Sequence, residues 1–217
     1  MKKSFSDYSV IAEDYHRVLG DLSVRKAEHE WLQKQIERMT LSLGRKPLVW
    51  ELGCGSGAFP AAFQDRIGGY RGFEPTPALA ALARERLPPG FQVTEDLVSL
   101  ERLVASEPPD VLVCLFSLRH VFGSPSESLL RMLGAKAVPL LAVEAVRTGW
   151  SLSWLTDLFR GKVPSAKLRR RMNRQGLNRD VDTQNFMEKK LQGCGYSPSS
   201  EKISAAWGRE TRGWLVF

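Results

Sequence analysis

The sequence predicts an α/β fold with a doubly wound, mostly parallel sheet. Between residues 48 and 143, short apolar runs of strand composition alternate with amphipathic segments that have the helical period. The first run ends in a turn with glycine at positions 53, 55 and 57, and acidic residues follow the ends of later runs. Alternation at this spacing predicts right-handed βαβ units, in which ligands bind at the carboxyl ends of the strands.

The first strand, residues 48–50, leads into a glycine-rich turn and then a helix. Such a turn needs glycine because its backbone takes positive φ and approaches a ligand closely, and the helix N-terminus offers free N–H groups. Two cofactors fit this turn. Gly53, Gly55 and Ala58 match the dinucleotide pattern G-x-G-x-x-G/A, whereas Glu51 would repel a pyrophosphate and favours a cationic group.

The run from Glu51 to Gly57 resembles the first motif, E/D-x-G-x-G-x-G, of the class I S-adenosylmethionine-dependent methyltransferases. The residues around Glu74 and the following helix resemble the second motif of that family. The resemblance covers roughly residues 45–145 and 182–217. It implies a seven-stranded sheet of order 3-2-1-4-5-7-6 with the last strand antiparallel. It also implies in-line methyl transfer from S-adenosylmethionine to a small organic acceptor, with S-adenosylhomocysteine as product.

The N-terminal part, residues 1–44, is expected to form a lid and a long helix. Tyr8, Tyr15 and His16 lie in a run that resembles the lid of small-molecule methyltransferases, which folds over cofactor and substrate; a plain capping segment is the alternative. Apolar residues at three- and four-residue spacing predict a helix over 23–43, which Gly44 ends.

The second strand, residues 70–73, ends on Glu74. A carboxylate at this point can bind both hydroxyls of a ribose, although a helix-dipole carboxylate is the simpler interpretation. Thr76 and Pro77 predict the N-cap and first residue of the next helix.

A short third strand, residues 91–93, precedes two acidic residues. The resemblance implies an adenine contact there, with Asp96 preferred and Glu95 as runner-up. A helix is expected over 97–105.

The clearest buried strand, residues 111–116, leads to His120. This region resembles the fourth motif of the family, in the part that faces the transferred methyl group. His120 is a candidate general base or substrate hydrogen-bonding residue, and a structural histidine is the alternative. Residues 124–127 form a capping box for a helix that Gly134 closes, and residues 137–143 form a fifth strand that ends at Glu144.

A helical insertion is predicted over 147–181, followed by a helix over 182–192 and a hairpin of strands 201–207 and 210–217. The insertion contains an apolar part with Trp150 and a basic part, residues 167–174. It fits a cap packed on the domain, an acidic substrate, an acidic carrier protein or an anionic membrane surface. Nucleic acid has less support, since one short basic cluster lacks interleaved aromatic residues.

Composition restricts the class of protein. The net charge is +7, and the basic excess lies in residues 147–217, which hold 14 Lys/Arg and 6 Asp/Glu. The spacing of the three cysteines is typical of neither a disulfide framework nor a metal site, so we predict no metal site. The sequence contains no apolar run long enough to span a bilayer, and its first residues do not resemble a signal peptide. We therefore predict a cytoplasmic protein. Oligomeric state and the atom that is methylated are not predicted.

The resemblance assigns candidate residues to the site. Its cofactor contacts are Glu51, Gly53, Cys54, Gly55, Gly57, Glu74, Pro75, Asp96, Leu97 and Phe116. Candidate substrate residues are Tyr8, Tyr15, His16, Arg147 and Trp150, and the candidate catalytic residue is His120. Three alternatives remain: a methyltransferase acting on RNA or protein, a non-catalytic binding module that uses the basic insertion, and a dehydrogenase.

Overall fold

The computed structural model describes residues 12–19, 25–147, 184–206 and 209–216. A seven-stranded sheet forms the centre of the molecule, with strand order β3-β2-β1-β4-β5-β7-β6. The strands are β1 Leu48–Leu52, β2 Gly69–Phe73, β3 Gln92–Thr94, β4 Val111–Leu115, β5 Leu140–Arg147, β6 Ser200–Ala206 and β7 Arg209–Val216.

Helices connect the strands and cover both faces of the sheet. The described helices are α1 Ala12–Leu19, α2 Lys26–Leu43, α3 Ala58–Phe63, α4 Pro77–Arg86, α5 Leu97–Leu103, α6 Leu118–Val121, α7 Ser126–Ala135 and α8 Gln184–Gln192. None of the described helices is long and apolar enough to cross a lipid bilayer.

Strands β1 to β5 are parallel, and β7 enters antiparallel between β5 and β6. The predicted fold class and strand order are therefore confirmed. Because β1 to β5 run in the same direction, their carboxyl ends meet at one edge of the sheet. The glycine-rich turn and Glu74 are brought together there, as the alternation of strands and helices predicts.

Side chains of alternate strand residues form two hydrophobic cores, one on each face. On one face, Trp50, Leu112 and Trp214 pack against α5 to α8. On the other, Val49, Val113 and Leu141 pack against α2 and α3. Both faces of the central strands are buried, which accounts for their nearly continuous apolar sequences.

The terminal hairpin is joined to α2 by three contacts. The Trp31 ring lies where a side chain on Gly213 would be, since a Cβ there would lie 2.5 Å from Trp31 Cζ2. The Trp31 indole N–H donates to Glu201, and the Ser204 hydroxyl donates to Glu28 at 2.8 Å. These contacts join elements about 170 residues apart in sequence.

Two sequence predictions are wrong in detail. Strand β5 does not end at Glu144 but continues to Arg147, because β7 pairs with it along its whole length. Gly134 does not close α7, which continues to Ala135. A Cβ at Gly134 would lie 2.2 Å from the Cys194 carbonyl oxygen, so this glycine permits close packing.

The capping box forms with its partners shifted by one residue. The Ser124 hydroxyl accepts from the Ser126 N–H at 3.2 Å, but Glu127 accepts from the Gly123 N–H at 2.6 Å. The predicted insertion, apart from Arg147, and most of the predicted lid lie outside the described residues.

Candidate functional site

The glycine turn, residues 53–57, is held at the carboxyl end of β1. Gly53, Gly55 and Gly57 have φ values of +74°, +56° and +76°, a backbone region that other residues rarely adopt. The Gly53 and Cys54 N–H groups donate to the Phe73 carbonyl at 2.8 and 3.1 Å, which fixes the turn to the end of β2. A Cβ on Gly53 would lie only 2.6 Å from the Cβ of Ser117.

Glu74 lies directly after β2 and is 5% exposed. One carboxylate oxygen accepts from the Gly55 N–H at 2.8 Å, and the other accepts from the Thr76 N–H at 2.9 Å. Burial raises the pKa of Glu74, and these two N–H donors oppose that shift. Each oxygen retains a free lone-pair direction, so the carboxylate can accept from two further donors of a ligand.

Glu51 lies behind the glycine turn and is only 2% exposed. Its carboxylate accepts from the Tyr70 hydroxyl at 2.6 Å. Room for this pair exists because residue 72 is glycine: a Cβ there would lie 2.6 Å from Tyr70 Oη and 2.8 Å from Cys54 Sγ. Burial raises the pKa of Glu51 to about 8, although the Tyr70 hydroxyl lowers it.

A pocket with both polar and apolar residues in its wall opens at this edge of the sheet. Seven of the predicted site residues line it: Tyr15, Gly53, Gly55, Glu74, Pro75, Phe116 and His120.

The other described cofactor candidates do not line the pocket. Glu51 is buried behind the turn, Cys54 belongs to the turn but is itself buried, and Gly57 packs on Ala83 of α4. Asp96 is exposed and caps α5, since its carboxylate accepts from the Val98 N–H at 3.0 Å, and Leu97 is the first residue of that helix.

Glu95, the runner-up for the adenine contact, forms an ion pair with Arg84 at 2.8 Å. At the end of β3 the described structure therefore assigns both acids to local contacts. Thr94 is the last residue of that strand, and its carbonyl accepts from the Glu74 N–H at 3.0 Å.

Phe116, the residue after β4, has a φ of +56°, which is unusual for a residue with a side chain. Its N–H donates to the Val143 carbonyl at 2.7 Å, and the Arg25 guanidinium lies 3.7 Å from the centroid of its ring. Backbone strain of this kind persists only where surrounding contacts enforce it, and it is concentrated at binding sites.

His120 belongs to α6 and is beside Arg119. The Arg119 Nε–H donates to His120 Nε2 at 3.3 Å, and Arg119 also lies 3.5 Å from buried Glu144. Burial, together with the charge of Arg119, lowers the pKa of His120 to about 4. The imidazole is thus neutral at pH 7, and its Nε2 lone pair is already used.

The predicted substrate residues are only partly described. The Tyr15 ring lies 3.6 Å from the position of a Cβ on Gly55, and burial raises the pKa of Tyr15. His16 follows it in α1, and Arg147 is the last residue of β5. Tyr8 and Trp150 lie outside the described residues.

Sequence reasoning missed Tyr70, Ser117 and Arg25. The Glu51–Tyr70 pair depends on the parallel register of β1 and β2, in which Glu51 lies opposite Gly72, and the sequence alone does not give that register. Ser117 donates to the Leu52 carbonyl at 2.5 Å, which depends on the pairing of β1 with β4. Arg25 has no local pattern that marks it, because its partner Phe116 is distant in sequence.

Comparison with known proteins identifies the fold. No protein-family model and no curated protein matches the sequence. A crystal structure of magnesium protoporphyrin IX methyltransferase from Synechocystis PCC 6803 with bound SAH is similar, with 17% identity, a TM-score of 0.57, and coverage of 95% of this chain and 98% of that one.

Two further solved structures resemble the chain at low identity. DhpI in complex with SAM and HEP has 11% identity, a TM-score of 0.58, and coverage of 95% and 93% of the two chains. CalS10, an amino pentose methyltransferase from Micromonospora echinaspora, has 15% identity, a TM-score of 0.52, and coverage of 90% and 95%. The chain has the class I S-adenosylmethionine-dependent methyltransferase fold, and two of these structural neighbours, the magnesium protoporphyrin IX and amino pentose enzymes, are methyltransferases of small molecules.

Proposed function

We propose that the protein is an S-adenosylmethionine-dependent methyltransferase whose acceptor is a small organic molecule. The observation that carries this proposal is the Glu74 carboxylate, which the Gly55 and Thr76 N–H groups fix at the rim of the pocket. Burial disfavours the charged form of Glu74, and the two N–H donors offset this only in part, so further donors from a ligand would stabilise the carboxylate. A ribose with two neighbouring hydroxyls is suited to its two remaining acceptor directions.

The residues present fit the cofactor. Glu74 would accept from the ribose hydroxyls, and Gly53 and Gly55 give the close backbone approach that the methionyl part needs. Glu51, buried behind the turn, would act on the methionyl ammonium through its charge or through a water molecule. When bound, S-adenosylmethionine supplies a methyl group already activated by the sulfonium.

The chain's contribution to the reaction is then mainly binding and orientation. Phe116 and Leu115 provide apolar walls that exclude water. His120 is a poor general base, because its Nε2 accepts from Arg119 and its pKa is lowered to about 4. We therefore assign His120 to acceptor positioning, which is consistent with a reaction driven by proximity and alignment.

Titration calorimetry with S-adenosylhomocysteine, NADH and NADPH tests the cofactor. We expect micromolar binding of S-adenosylhomocysteine and none of either nicotinamide. Glu74→Ala should weaken that binding by roughly a hundredfold, since it removes charge-assisted hydrogen bonds. Glu85→Ala is the matched control, because Glu85 is exposed on the same following helix, α4. Unchanged affinity in Glu74→Ala would remove Glu74 from the site, and nicotinamide binding would contradict the proposal.

The other predictions about partners remain predictions. An acidic carrier protein or an anionic membrane surface would engage the basic residues 167–174, which lie outside the described residues. The same segment underlies the alternatives of an RNA or protein acceptor and of a non-catalytic module. Cytoplasmic location likewise remains a prediction from composition.

A further inference from the structure

Arg25 lies next to the pocket through its contact with Phe116, although it is not itself one of the residues that line it. Its guanidinium lies 3.7 Å from the centroid of the Phe116 ring, and Phe116 lines the pocket. Among residues 12–19, 25–147, 184–206 and 209–216, no ion-pair partner and no side-chain hydrogen-bond acceptor is found for Arg25. A guanidinium carries five N–H donors at its edge, and stacking on a ring uses none of them.

The acids near Arg25 are engaged elsewhere. Glu28 accepts from the Ser204 hydroxyl at 2.8 Å, and Glu144 lies 3.5 Å from Arg119. Burial lowers the pKa of Arg25, while Tyr15, Glu28 and Glu144 raise it by smaller effects. Within the described ranges, the half-buried guanidinium therefore bears the cost of desolvation without a carboxylate in direct contact.

The position of Arg25 is fixed from two sides. It is the residue immediately before α2, whose long helix packs on the sheet through Trp31 and Leu32. Phe116 is held at the end of β4 by its hydrogen bond to Val143. Tyr15, a second ring that lines the pocket, is close enough to interact electrostatically with Arg25.

We propose that Arg25 binds an anionic group of the methyl acceptor, either a carboxylate or a phosphate. This inference rests on the proposed function, since it assumes that the acceptor enters the pocket beside Phe116. The planar fork of a guanidinium matches both oxyanions through two parallel hydrogen bonds. An acceptor without an anion leaves this half-buried cation with no anionic partner among the described residues, so Arg25 selects acidic acceptors over neutral ones.

The experiment uses the full chain saturated with S-adenosylhomocysteine, in a phosphate-free buffer. Sodium benzoate and inorganic phosphate are titrated separately and followed by NMR line shifts, and the affinity for S-adenosylhomocysteine is measured by calorimetry in each variant. The variants are Arg25→Met, which keeps the length of the side chain, and Arg25→Lys, which keeps the charge but not the fork. Arg102→Met is the control, because Arg102 is exposed on α5.

We expect at least one anion to bind the wild-type complex, with roughly tenfold weaker binding in Arg25→Met and a smaller loss in Arg25→Lys. Arg102→Met should bind like the wild type. The stronger of the two probes then identifies the anionic group. Two results overturn the inference: neither anion binds the wild-type complex, or every folded Arg25 variant retains wild-type anion affinity. If either result is obtained while S-adenosylhomocysteine still binds, the inference is wrong but the proposed function is not contradicted. If the wild-type protein does not bind S-adenosylhomocysteine, the proposed function and this inference are both contradicted.

Discussion

At the scale of single residues, the site depends on carboxyl groups that the fold keeps away from water. Glu51 and Glu74 are 2% and 5% exposed, yet each accepts hydrogen bonds from fixed donors. Such groups destabilise the empty protein when they ionise, and a cationic or hydroxyl-rich ligand offsets that cost. Binding specificity is therefore obtained at some expense of stability.

Glu51→Gln tests the electrostatic part of this account. With a pKa of about 8, Glu51 is mostly protonated in the free protein at pH 7 and must ionise to attract an ammonium group. Binding of S-adenosylhomocysteine to the wild type should thus release a proton. Calorimetry in buffers of different ionisation enthalpy measures this release.

Glu51→Gln should abolish the release and weaken binding about tenfold, while its Tyr70 hydrogen bond persists in neutral form. Tyr70→Phe serves as a matched comparison that keeps the carboxyl group. Equal proton release by the wild type and Glu51→Gln would show that another group accounts for it.

At the scale of elements, the contact between α2 and the hairpin depends on one glycine. Gly213→Ala would place a Cβ 2.5 Å from the Trp31 ring, so we expect a loss of about 1–3 kcal/mol in the free energy of unfolding. Urea denaturation measures this loss.

Trp31→Leu supplies the matched test, because it removes the ring that the new methyl group meets. Gly213→Ala should cost much less in the Trp31→Leu background than in the wild type. Gly193→Ala is the control substitution, since a Cβ at residue 193 would have only ordinary contacts, the nearest at 3.4 Å. An equal cost of Gly213→Ala in both backgrounds would mean that the steric explanation is wrong.

Local signals account for the elements that were predicted well. The strands β1 to β5 are marked by apolar composition, and Thr76 and Pro77 mark the start of α4 as expected. The end of β5 was misplaced because it is fixed by pairing with β7, some 60 residues later. Gly134 was misread because its close neighbour, the Cys194 carbonyl, is likewise remote in sequence.

In the site, too, features with local sequence signals were predicted and features that depend on distant contacts were not. The glycine turn and Glu74 carry their signals within a few residues, and both line the pocket. The stacking of Arg25 on Phe116 joins residues 91 positions apart, and although Phe116 was predicted as a site residue, nothing near either residue indicates that the two are paired. Contacts set by tertiary packing alone are the ones that sequence reasoning did not find.

At the scale of the whole molecule, buried acids give stability a definite dependence on pH. Burial raises the folded-state pKa of Glu51 to about 8 and also raises those of Glu74 and Glu144, whereas an unfolded glutamate titrates near about 4.3. The folded protein therefore binds more protons than the unfolded chain above that pH. The contribution of these protonated glutamates to the free energy of unfolding is complete at low pH. It is lost as the pH rises through their folded-state pKa values.

We expect the free energy of unfolding of the cofactor-free protein to fall between pH 7 and pH 9. His120, whose pKa is lowered to about 4, opposes this change only slightly, because an unfolded histidine is already mostly neutral at pH 7. The raised pKa values of Cys54 and Cys114 act in the same direction as those of the buried glutamates. Urea denaturation at pH 7, 8 and 9 measures the change. Glu51→Gln should reduce the slope, and a stability that rises with pH would contradict this assignment of buried acids.

The position of β7 in the sheet has a consequence for biosynthesis. Strand β5 is complete at Arg147, but β7, which pairs with its free side, begins at Arg209. At about 5–20 residues per second, a ribosome needs roughly 3–12 seconds to make the intervening segment. Among the described strands, none other than β7 pairs with this side of β5, so we expect an exposed apolar strand edge during that interval. We therefore expect the yield of folded protein to depend on chaperones that cover this strand, or on conditions that limit its aggregation with other nascent chains.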